Sequence, residues 1–225
     1  MTTLQLKHRK IELDLTNAPA ADPKLLDNGH PLRYVLKTKN ATEVYLNALA
    51  ELYSELPPDL EVLEFCGGIG LVAEATWDKF HPAKWHSVEL DAACETVWQS
   101  KRAEFLLGSM YDPEFTNYWE PDGADLIMID FPSNTIPKMW REPERMDLLK
   151  RIADLKPRYW EITDVGYYWI HLANHWPLYE KRFGVKPTRG NYHELFDRFM
   201  REEYGYRVIK WTVGGGAQYF LMEAV

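Results

Sequence analysis

The fold of this chain is decided by the stretch Glu61-Val62-Leu63-Glu64-Phe65-Cys66-Gly67-Gly68-Ile69-Gly70. A short apolar run ends there in an acid and an aromatic residue, and three glycines follow within four positions. An amphipathic run from Leu71 to Phe80 comes next, and the combination predicts a strand, a tight turn and a helix start. Glycines let a backbone approach a ligand closely, and a helix start presents unpaired N–H groups. The stretch therefore predicts a cradle for a small molecule.

Strand-like and helix-like segments alternate after this turn, which predicts an α/β fold with a mainly parallel sheet and helices on both faces. Near the end, Gly214-Gly215-Gly216 joins two apolar runs. That link is too short for a helix, so it predicts an antiparallel hairpin that closes the sheet. The predicted strands are Val62–Cys66, Trp85–Leu90, Glu104–Leu107, Asp125–Ile129, Tyr159–Thr163, Tyr206–Val213 and Gln218–Glu223. The predicted helices are Leu71–Phe80, Ala92–Arg102, Pro143–Leu155, Tyr167–Tyr179 and Tyr192–Tyr204.

The chain before the glycine turn has a different character. Residues 1–39 carry scattered prolines and a glycine, which predict an irregular N-terminal arm. Asn40 followed by Glu43 forms a capping-box pattern and predicts a helix from there to about Leu56. Residues 40–225 are expected to form a single domain, because their number suits one hydrophobic core.

Charge is distributed unevenly along the chain. The formal net charge is −8, which excludes a protein that is basic over its whole surface. Between Lys138 and Arg158, however, seven basic residues stand against four acidic ones, a local excess of three. This segment is expected either to contact nucleic-acid phosphates or to form a solvated helix face. The loop with Arg182, Lys186 and Arg189 leaves the same two interpretations open.

Cysteine and histidine usage argues against a disulfide framework or a metal centre. The two cysteines lack metal-ligand spacing, and a reduced, cytoplasmic setting is expected. His171 and His175 are four positions apart, but no third ligand accompanies them, so ordinary histidines are favoured. The first fifteen residues lack a signal-peptide core, and no apolar run approaches membrane-spanning length.

Two carboxylates narrow the ligand of the cradle. Glu89 lies at the tip of the second predicted strand, where a carboxylate can accept hydrogen bonds from a ribose diol. Asp91, two residues on, is better suited to capping the next helix. Glu64, just before the turn, would repel the pyrophosphate of a dinucleotide but would attract an ammonium group. Together these acids favour S-adenosylmethionine as the cofactor.

At this point the chain resembles the class I S-adenosylmethionine-dependent methyltransferases, and within them the DNA cytosine-C5 methyltransferases. The resemblance implies a Rossmann-like class I methyltransferase fold. The stretches that resemble the C5 family, in its order, are Phe65 to Gly70, Ser87-Val88-Glu89-Leu90-Asp91, Leu107-Gly108-Ser109-Met110, Asp130-Phe131-Pro132-Ser133-Asn134 and Ile162-Thr163-Asp164-Val165.

The resemblance also implies roles for individual residues in binding the cofactor. Phe65 would touch the adenine and Leu90 would pack on it, while Glu89 would take the ribose hydroxyls. Ser109 would replace the acid that reads the adenine amino group. The methionine end would lie in the turn formed by Glu64, Cys66, Gly67, Gly68 and Gly70.

The candidate catalytic residues depart from the C5 family. Ser133 stands where that family has its nucleophilic cysteine, and a hydroxyl is a far poorer nucleophile. Thr163 stands in place of a glutamate, with Asp164 beside it as a partial substitute. The segment Asp130 to Asn134 also partly resembles amino-group methyltransferases, in which Asp130 would orient a target amine, Phe131 would stack on an extruded base and Pro132 would match a family proline.

The acceptor is therefore open at this stage. A nucleic-acid base is the first expectation, since both partial resemblances are to base-modifying enzymes. A silent relative that only binds, or a small-molecule or protein methyltransferase with its acceptor pocket at Tyr167–Tyr179, are the alternatives. Only about forty residues separate the strand Tyr159–Thr163 from the closing hairpin, which is short for reading a long site. This length suits a short or loosely specified site, a protein partner or homo-oligomer that supplies target recognition, or a substrate other than DNA.

Overall fold

The computed structural model describes residues 2–18, 32–36, 38–109, 123–129, 143–164, 176–214 and 217–225. Its strands are β1 Thr2–Gln5, β2 Lys10–Leu13, β3 Glu61–Phe65, β4 Lys84–Glu89, β5 Glu104–Leu107, β6 Leu126–Ile129, β7 Tyr159–Asp164, β8 Tyr206–Gly214 and β9 Ala217–Ala224. Its helices are α1 Arg33–Leu36, α2 Lys39–Leu52, α3 Leu71–Phe80, α4 Ala93–Thr96, α5 Pro143–Asp154, α6 Trp176–Phe183 and α7 Tyr192–Tyr204, with a 3₁₀ turn at Tyr53–Glu55.

The main sheet has seven strands in the order β5-β4-β3-β6-β7-β9-β8. The strands β3 to β7 are parallel to one another, and β9 is antiparallel to both β7 and β8. The predicted parallel sheet with a closing antiparallel hairpin is confirmed. Chain order reverses at β3, because β4 lies on one side of it and β6 on the other. Open α/β sheets bind ligands at such a switch point, outside the carboxyl ends of the strands.

Alternate side chains of β3 enter two separate hydrophobic cores. Val62 belongs to a core that α2 and α3 cover, through residues such as Leu46 and Val72. Leu63 belongs to a second core on the opposite face, which includes Ile152 of α5 and Phe196 of α7. Both faces of the sheet are therefore covered by helices, as the continuous apolar strands predict.

The N-terminal segment is not irregular, and that prediction is wrong for residues 2–13. Here β1 and β2 form an antiparallel hairpin, and its Leu4 and Ile11 are buried in the first core. The Arg9 guanidinium reaches α3, where Nη2 lies 2.9 Å from a Glu74 carboxylate oxygen. The alternation of apolar and polar residues along β2 is the strand signal that the nearby breakers obscured.

Two helix predictions also need correction. Helix α2 begins at Lys39, and its N-cap residue Thr38 makes no side-chain capping bond. Instead of closing a capping box, the Glu43 carboxylate accepts the Gln5 N–H of β1 at 2.7 Å. The helix predicted over Ala92–Arg102 is confined to Ala93–Thr96. Beyond it the Gln99 N–H donates to the Ile69 carbonyl of the glycine turn at 2.9 Å, so a tertiary contact replaces the helical one.

Candidate cofactor site

The glycine turn leaves β3 in a left-handed conformation. Cys66, Gly68 and Gly70 have φ angles of 64°, 55° and 77°. The Cys66 N–H donates to the Val88 carbonyl at 2.8 Å, and this bond anchors the turn to the end of β4. Of these three residues, only Cys66 has a side chain. Holding a residue with a side chain in the left-handed region costs about 1 kcal/mol or more of folding free energy.

Two glycines of the turn serve different purposes. A Cβ on Gly67 would lie 2.7 Å from the Ser87 Cβ, so only glycine lets β3 and β4 come this close. A Cβ on Gly68 would meet no heavy atom of the described residues within 4 Å. The turn is therefore tight on its inner side at Gly67 and open on its outer side at Gly68, where a ligand can approach the backbone.

Glu89 is fixed in place by the turn and by its own strand end. Its Oε2 accepts the Gly68 N–H at 2.9 Å, and its Oε1 accepts the N–H groups of Leu90 and Asp91 at 2.7 and 3.0 Å. An ionised carboxylate has about four acceptor sites, so three backbone donors leave capacity for a hydroxyl. Asp91 accepts the Ala93 N–H at 2.9 Å at the start of α4, although the N-cap residue of this helix is Ala92.

An apolar surface lies beside Glu89. Leu90 is 73% exposed and Leu107, which is in register with Glu89 on β5, is 53% exposed. Two leucines exposed at one sheet edge suit the face of an adenine ring. The sequence motifs predict the strand that ends at Leu107, but they do not predict Leu107 as a ligand contact. Ser109 follows it and is partly exposed, next to a Gly108 N–H that donates to the Glu89 carbonyl at 2.9 Å.

Phe65 has no exposed surface and packs in the second core with Val88 and Ile129. The alternation of β3 turns its ring into the sheet face, away from solvent. Its contact with adenine remains a prediction, and the apolar surface that is exposed at this edge belongs to the two leucines.

Glu64 is a buried acid beneath the turn. Its side chain has no exposed surface, and its Oε2 accepts the Trp85 Nε1–H at 2.9 Å and the Ser87 hydroxyl. Burial raises the pKa of this carboxyl to about 7, although the bonds from Ser87 and Trp85 oppose the shift. The other oxygen, Oε1, has no hydrogen-bond partner among the residues that the structure describes. Whether a ligand's ammonium group contacts Glu64 remains a prediction.

Neither cysteine is poised as a nucleophile. Burial raises the pKa of the Cys66 thiol to about 12, and the nearby Glu89 and Glu64 carboxylates add to the shift. Burial likewise raises the pKa of the Cys94 thiol to about 12. Since the thiolate is the reactive form of cysteine, both thiols are chemically quiet near neutral pH.

The acceptor side of the sheet is described only in part. Thr163 is buried on β7, and its hydroxyl donates to the Glu161 Oε1 at 3.2 Å. Asp164 ends the same strand. The segment Asp130-Phe131-Pro132-Ser133-Asn134 lies outside the described residues, as do His171 and His175. Their predicted roles are not tested by the structure.

In the second basic segment, the charge of Arg182 is paired within the protein. Arg182 contacts Glu202 at 3.3 Å and also pairs with Glu203, so its charge is largely neutralised within the protein. Lys186 and Arg189 are exposed in the loop that follows. In α5, Lys150 is exposed, whereas the predicted basic residues between 138 and 142 lie outside the described part of the chain.

Within the described ranges, no helix has the length and apolarity needed to cross a membrane. The same residues contain no cluster of three or more histidines, cysteines or acids arranged to hold a metal ion.

Sequence comparison gives no relatives, since no family model and no curated protein matches the chain. Solved structures do match. One is a proposed methyltransferase in complex with the Trm112 methyltransferase activator from Haloferax volcanii, with 13% identity, a TM-score of 0.54, and 88% of this chain and 94% of that chain covered. Another is a proposed RNA methyltransferase from Pyrococcus horikoshii, with 11% identity, a TM-score of 0.52 and 84% of each chain covered. The mitomycin 7-O-methyltransferase matches with 16% identity, a TM-score of 0.53, and 91% of this chain and 61% of that chain covered.

These likenesses establish the Rossmann-like class I methyltransferase fold. The RNA methyltransferase and the mitomycin 7-O-methyltransferase differ in what they act on, and at identities this low none of the three structures carries a substrate over to this chain.

Proposed function

We propose that this protein is an S-adenosylmethionine-dependent methyltransferase whose acceptor is a nucleic-acid base. The observation that carries the cofactor is the arrangement at the carboxyl ends of β3, β4 and β5. There the open backbone at Gly68, the anchored Glu89 carboxylate and the exposed Leu90 and Leu107 lie together. This combination of polar and apolar groups suits an adenosine, and it lies at the switch point of a class I methyltransferase fold.

Each group has a role in holding the cofactor under this proposal. Glu89 would accept the ribose hydroxyls, the two leucines would cover the adenine, and Ser109 would hydrogen-bond its amino group. The turn at Cys66 to Gly70 would hold the methionine end. When bound, S-adenosylmethionine supplies an electrophilic methyl group on a sulfonium. The chain's own contribution is to orient the acceptor and exclude water, so a strong base is not required.

Glu64 gives this cofactor a measurable signature. A carboxyl with a pKa of about 7 is partly protonated at neutral pH. An ammonium group placed near it would favour its ionised form. Binding should then release a proton, and the heat of binding at pH 7 should depend on the ionisation enthalpy of the buffer. A heat that is equal in phosphate and Tris buffers would contradict the contact with Glu64.

The acceptor chemistry is better supported as transfer to an amino group than to cytosine C5. Attack at C6 of cytosine needs a thiolate, and the two cysteines of the chain have pKa values raised to about 12. Thr163, in place of the family's glutamate, is buried and bonded to Glu161. Asp130 is the residue that would accept a hydrogen bond from a target amine, and Phe131 would stack on the base.

The direct test is to incubate the purified protein with methyl-labelled S-adenosylmethionine and separate pools of DNA, RNA, protein and metabolites. Label in DNA or RNA, removed by nuclease and weakened steeply by salt, is the expected result. At cofactor concentrations below its Kd, a Glu89→Ala variant should transfer at least tenfold less label than wild type. Glu95→Ala, which changes an exposed acid on the nearby α4, should behave like wild type. Label only in protein or metabolites would overturn the nucleic-acid acceptor.

A second candidate is a silent relative that binds cofactor and nucleic acid without transfer. The buried, internally bonded Thr163 favours it, as does Ser133 at the nucleophile position. It predicts binding of S-adenosylhomocysteine by calorimetry with label in no pool. A Ser133→Cys variant that then gains C5-methylcytosine would identify a disarmed C5 enzyme.

Target recognition is proposed to involve a protein partner or a second copy of the chain. About forty residues separate β7 from β8, which leaves little room for a target-recognition region. A structural neighbour is a proposed methyltransferase in complex with an activator protein. Co-purification from the native source, followed by the transfer assay with and without the bound protein, would test this proposal.

A further inference from the structure

One buried amide has no role within the described fold. Gln218 lies near the start of β9 and has no exposed surface. Neither its Oε1 nor its Nε2 has a hydrogen-bond partner in the part of the chain that the structure describes. Burying an unsatisfied polar group costs roughly 1–3 kcal/mol. A leucine of similar size would avoid this cost, so the amide calls for a partner beyond the residues that the structure describes.

Strand register places Gln218 at the ligand-binding edge of the sheet. It pairs with Asp164 at the carboxyl end of β7, and β9 runs antiparallel, so its first residues lie at that same edge. Phe65, Ile129, Ile162 and Phe220 are aligned across four neighbouring strands. Gln218 is two residues beyond Phe220 toward this edge.

The glycine turn and Gln218 are at matching heights on the sheet. Gly67 is two residues beyond Phe65. Gln218 is likewise two residues beyond Phe220, the residue of β9 that is aligned with Phe65. Three strand spacings of about 4.8 Å separate them, or about 14 Å. Alternation along β9 puts Gln218 on the face of Phe220, which stacks on Phe196 of α7 with centroids 4.0 Å apart. Gln218 therefore lies at the same edge of the sheet as the cofactor site. It is three strands away from β3, beyond β6 and β7.

We propose that Gln218 is a specificity-determining residue that binds the methyl acceptor. A carboxamide offers a donor and an acceptor side by side, which matches an edge with the complementary pair, such as the amino group and ring nitrogen of adenine or cytosine. This inference rests on the proposed function and names the group that would select the base. A site built to pair such an edge rejects analogues that lack it, because its own polar atoms are then left unpaired.

The test compares Gln218→Leu, which removes both polar atoms at similar volume, with Gln218→Glu, which keeps only the acceptor oxygens. Both variants should bind S-adenosylhomocysteine with the wild-type Kd, and Gln218→Leu should unfold at the same temperature as wild type or higher. Their kcat/KM for the nucleic acid that accepts the labelled methyl group should fall at least tenfold. Gln5→Leu is the matched control, because Gln5 is an exposed glutamine on β1 and should leave both quantities unchanged.

A binding measurement separates this inference from the proposed function. With S-adenosylhomocysteine present, millimolar adenosine or cytidine should raise the unfolding temperature of wild type and of Gln5→Leu, but not of Gln218→Leu. If the wild-type protein binds a nucleoside through Gln218 but transfers no label, the proposed methyltransferase activity is contradicted and the role of Gln218 in binding is upheld. An equal nucleoside shift in Gln218→Leu and wild type, or kcat/KM values within twofold, would overturn the inference. A Gln218→Leu protein less stable than wild type would show a structural role instead.

Discussion

The Glu89 carboxylate holds the backbone of Gly68, with Oε2 and N 2.9 Å apart. The Glu89 side chain, at the end of β4, thus shapes the turn that follows β3. Its other oxygen, Oε1, accepts the N–H groups of Leu90 and Asp91 and so fixes the backbone just after β4. The glycine turn and the Glu89 carboxylate are therefore structurally coupled. Substituting Glu89 is expected to disturb the turn as well as the carboxylate's own contacts.

Replacing Glu89 should therefore affect both binding and stability. Glu89→Ala removes three charge-assisted backbone hydrogen bonds and the predicted ribose contact. We expect the Kd for S-adenosylhomocysteine to rise at least tenfold and the free energy of unfolding to fall by about 1–3 kcal/mol. Calorimetry and urea denaturation measure the two effects. A variant with reduced stability but an unchanged Kd would limit Glu89 to a structural role.

Adding a methyl group at Gly67 should destabilise the protein through a steric clash. The new Cβ would meet the Ser87 Cβ at 2.7 Å, and overpacking of this kind costs about 1–3 kcal/mol. Gly190→Ala is the matched control, because its Cβ would come no closer than 3.8 Å to another group. Equal unfolding midpoints in urea for the two variants would mean that β3 and β4 separate without penalty.

The left-handed conformation of Cys66 predicts a difference between two substitutions. Cys66→Ala and Cys66→Gly both remove the thiol, but only glycine adopts a φ of 64° without strain. We expect Cys66→Gly to be the more stable variant by about 1 kcal/mol, with S-adenosylhomocysteine bound equally well by both. If Cys66→Ala proves the more stable, the turn has a different conformation in solution.

The buried Glu64 predicts a pH dependence of stability with a definite sign. The folded protein holds its proton up to about pH 7, whereas the unfolded chain loses it near pH 4.5. The folded state thus binds more protons between these values, so Glu64 lowers the free energy of unfolding as the pH rises through this window. A shift of this size corresponds to about 3 kcal/mol at most. Glu64→Gln should gain stability relative to wild type between pH 5 and pH 7.5, as measured in urea. A constant difference between the two proteins would contradict the raised pKa.

Local patterns predicted most of the sheet and both of its covered faces. The strand β5 and the helices α3 and α7 have the predicted bounds, because turn residues or glycines mark their ends. The errors arose where distant contacts outweigh local preference. The Glu43 carboxylate bonds to β1 rather than to its own helix start, and the segment after α4 turns back to Ile69. Neither partner is near in sequence.

The site was predictable to the extent that motifs define it. The turn and Glu89 follow from a glycine pattern and a strand end. The exposure of Leu107 does not follow from any motif, and neither does the lack of a hydrogen-bond partner for the Gln218 amide among the described residues. Both depend on which strands become neighbours in the sheet. A glutamine at the start of an apolar strand is an ordinary pattern, and only the placement of β9 between β7 and β8 buries it.

That placement has a consequence for how the chain is assembled. β9 follows β8 in sequence, yet it separates β8 from the rest of the sheet. During synthesis β8 leaves the ribosome before the strand it must pair with, and β7 keeps an open edge until the residues around Phe220 have emerged. Such an edge invites pairing with other chains. We expect a nascent chain stalled before Ala217 to be held by chaperones and to aggregate readily, and the addition of β9 to complete the sheet in one late, cooperative step.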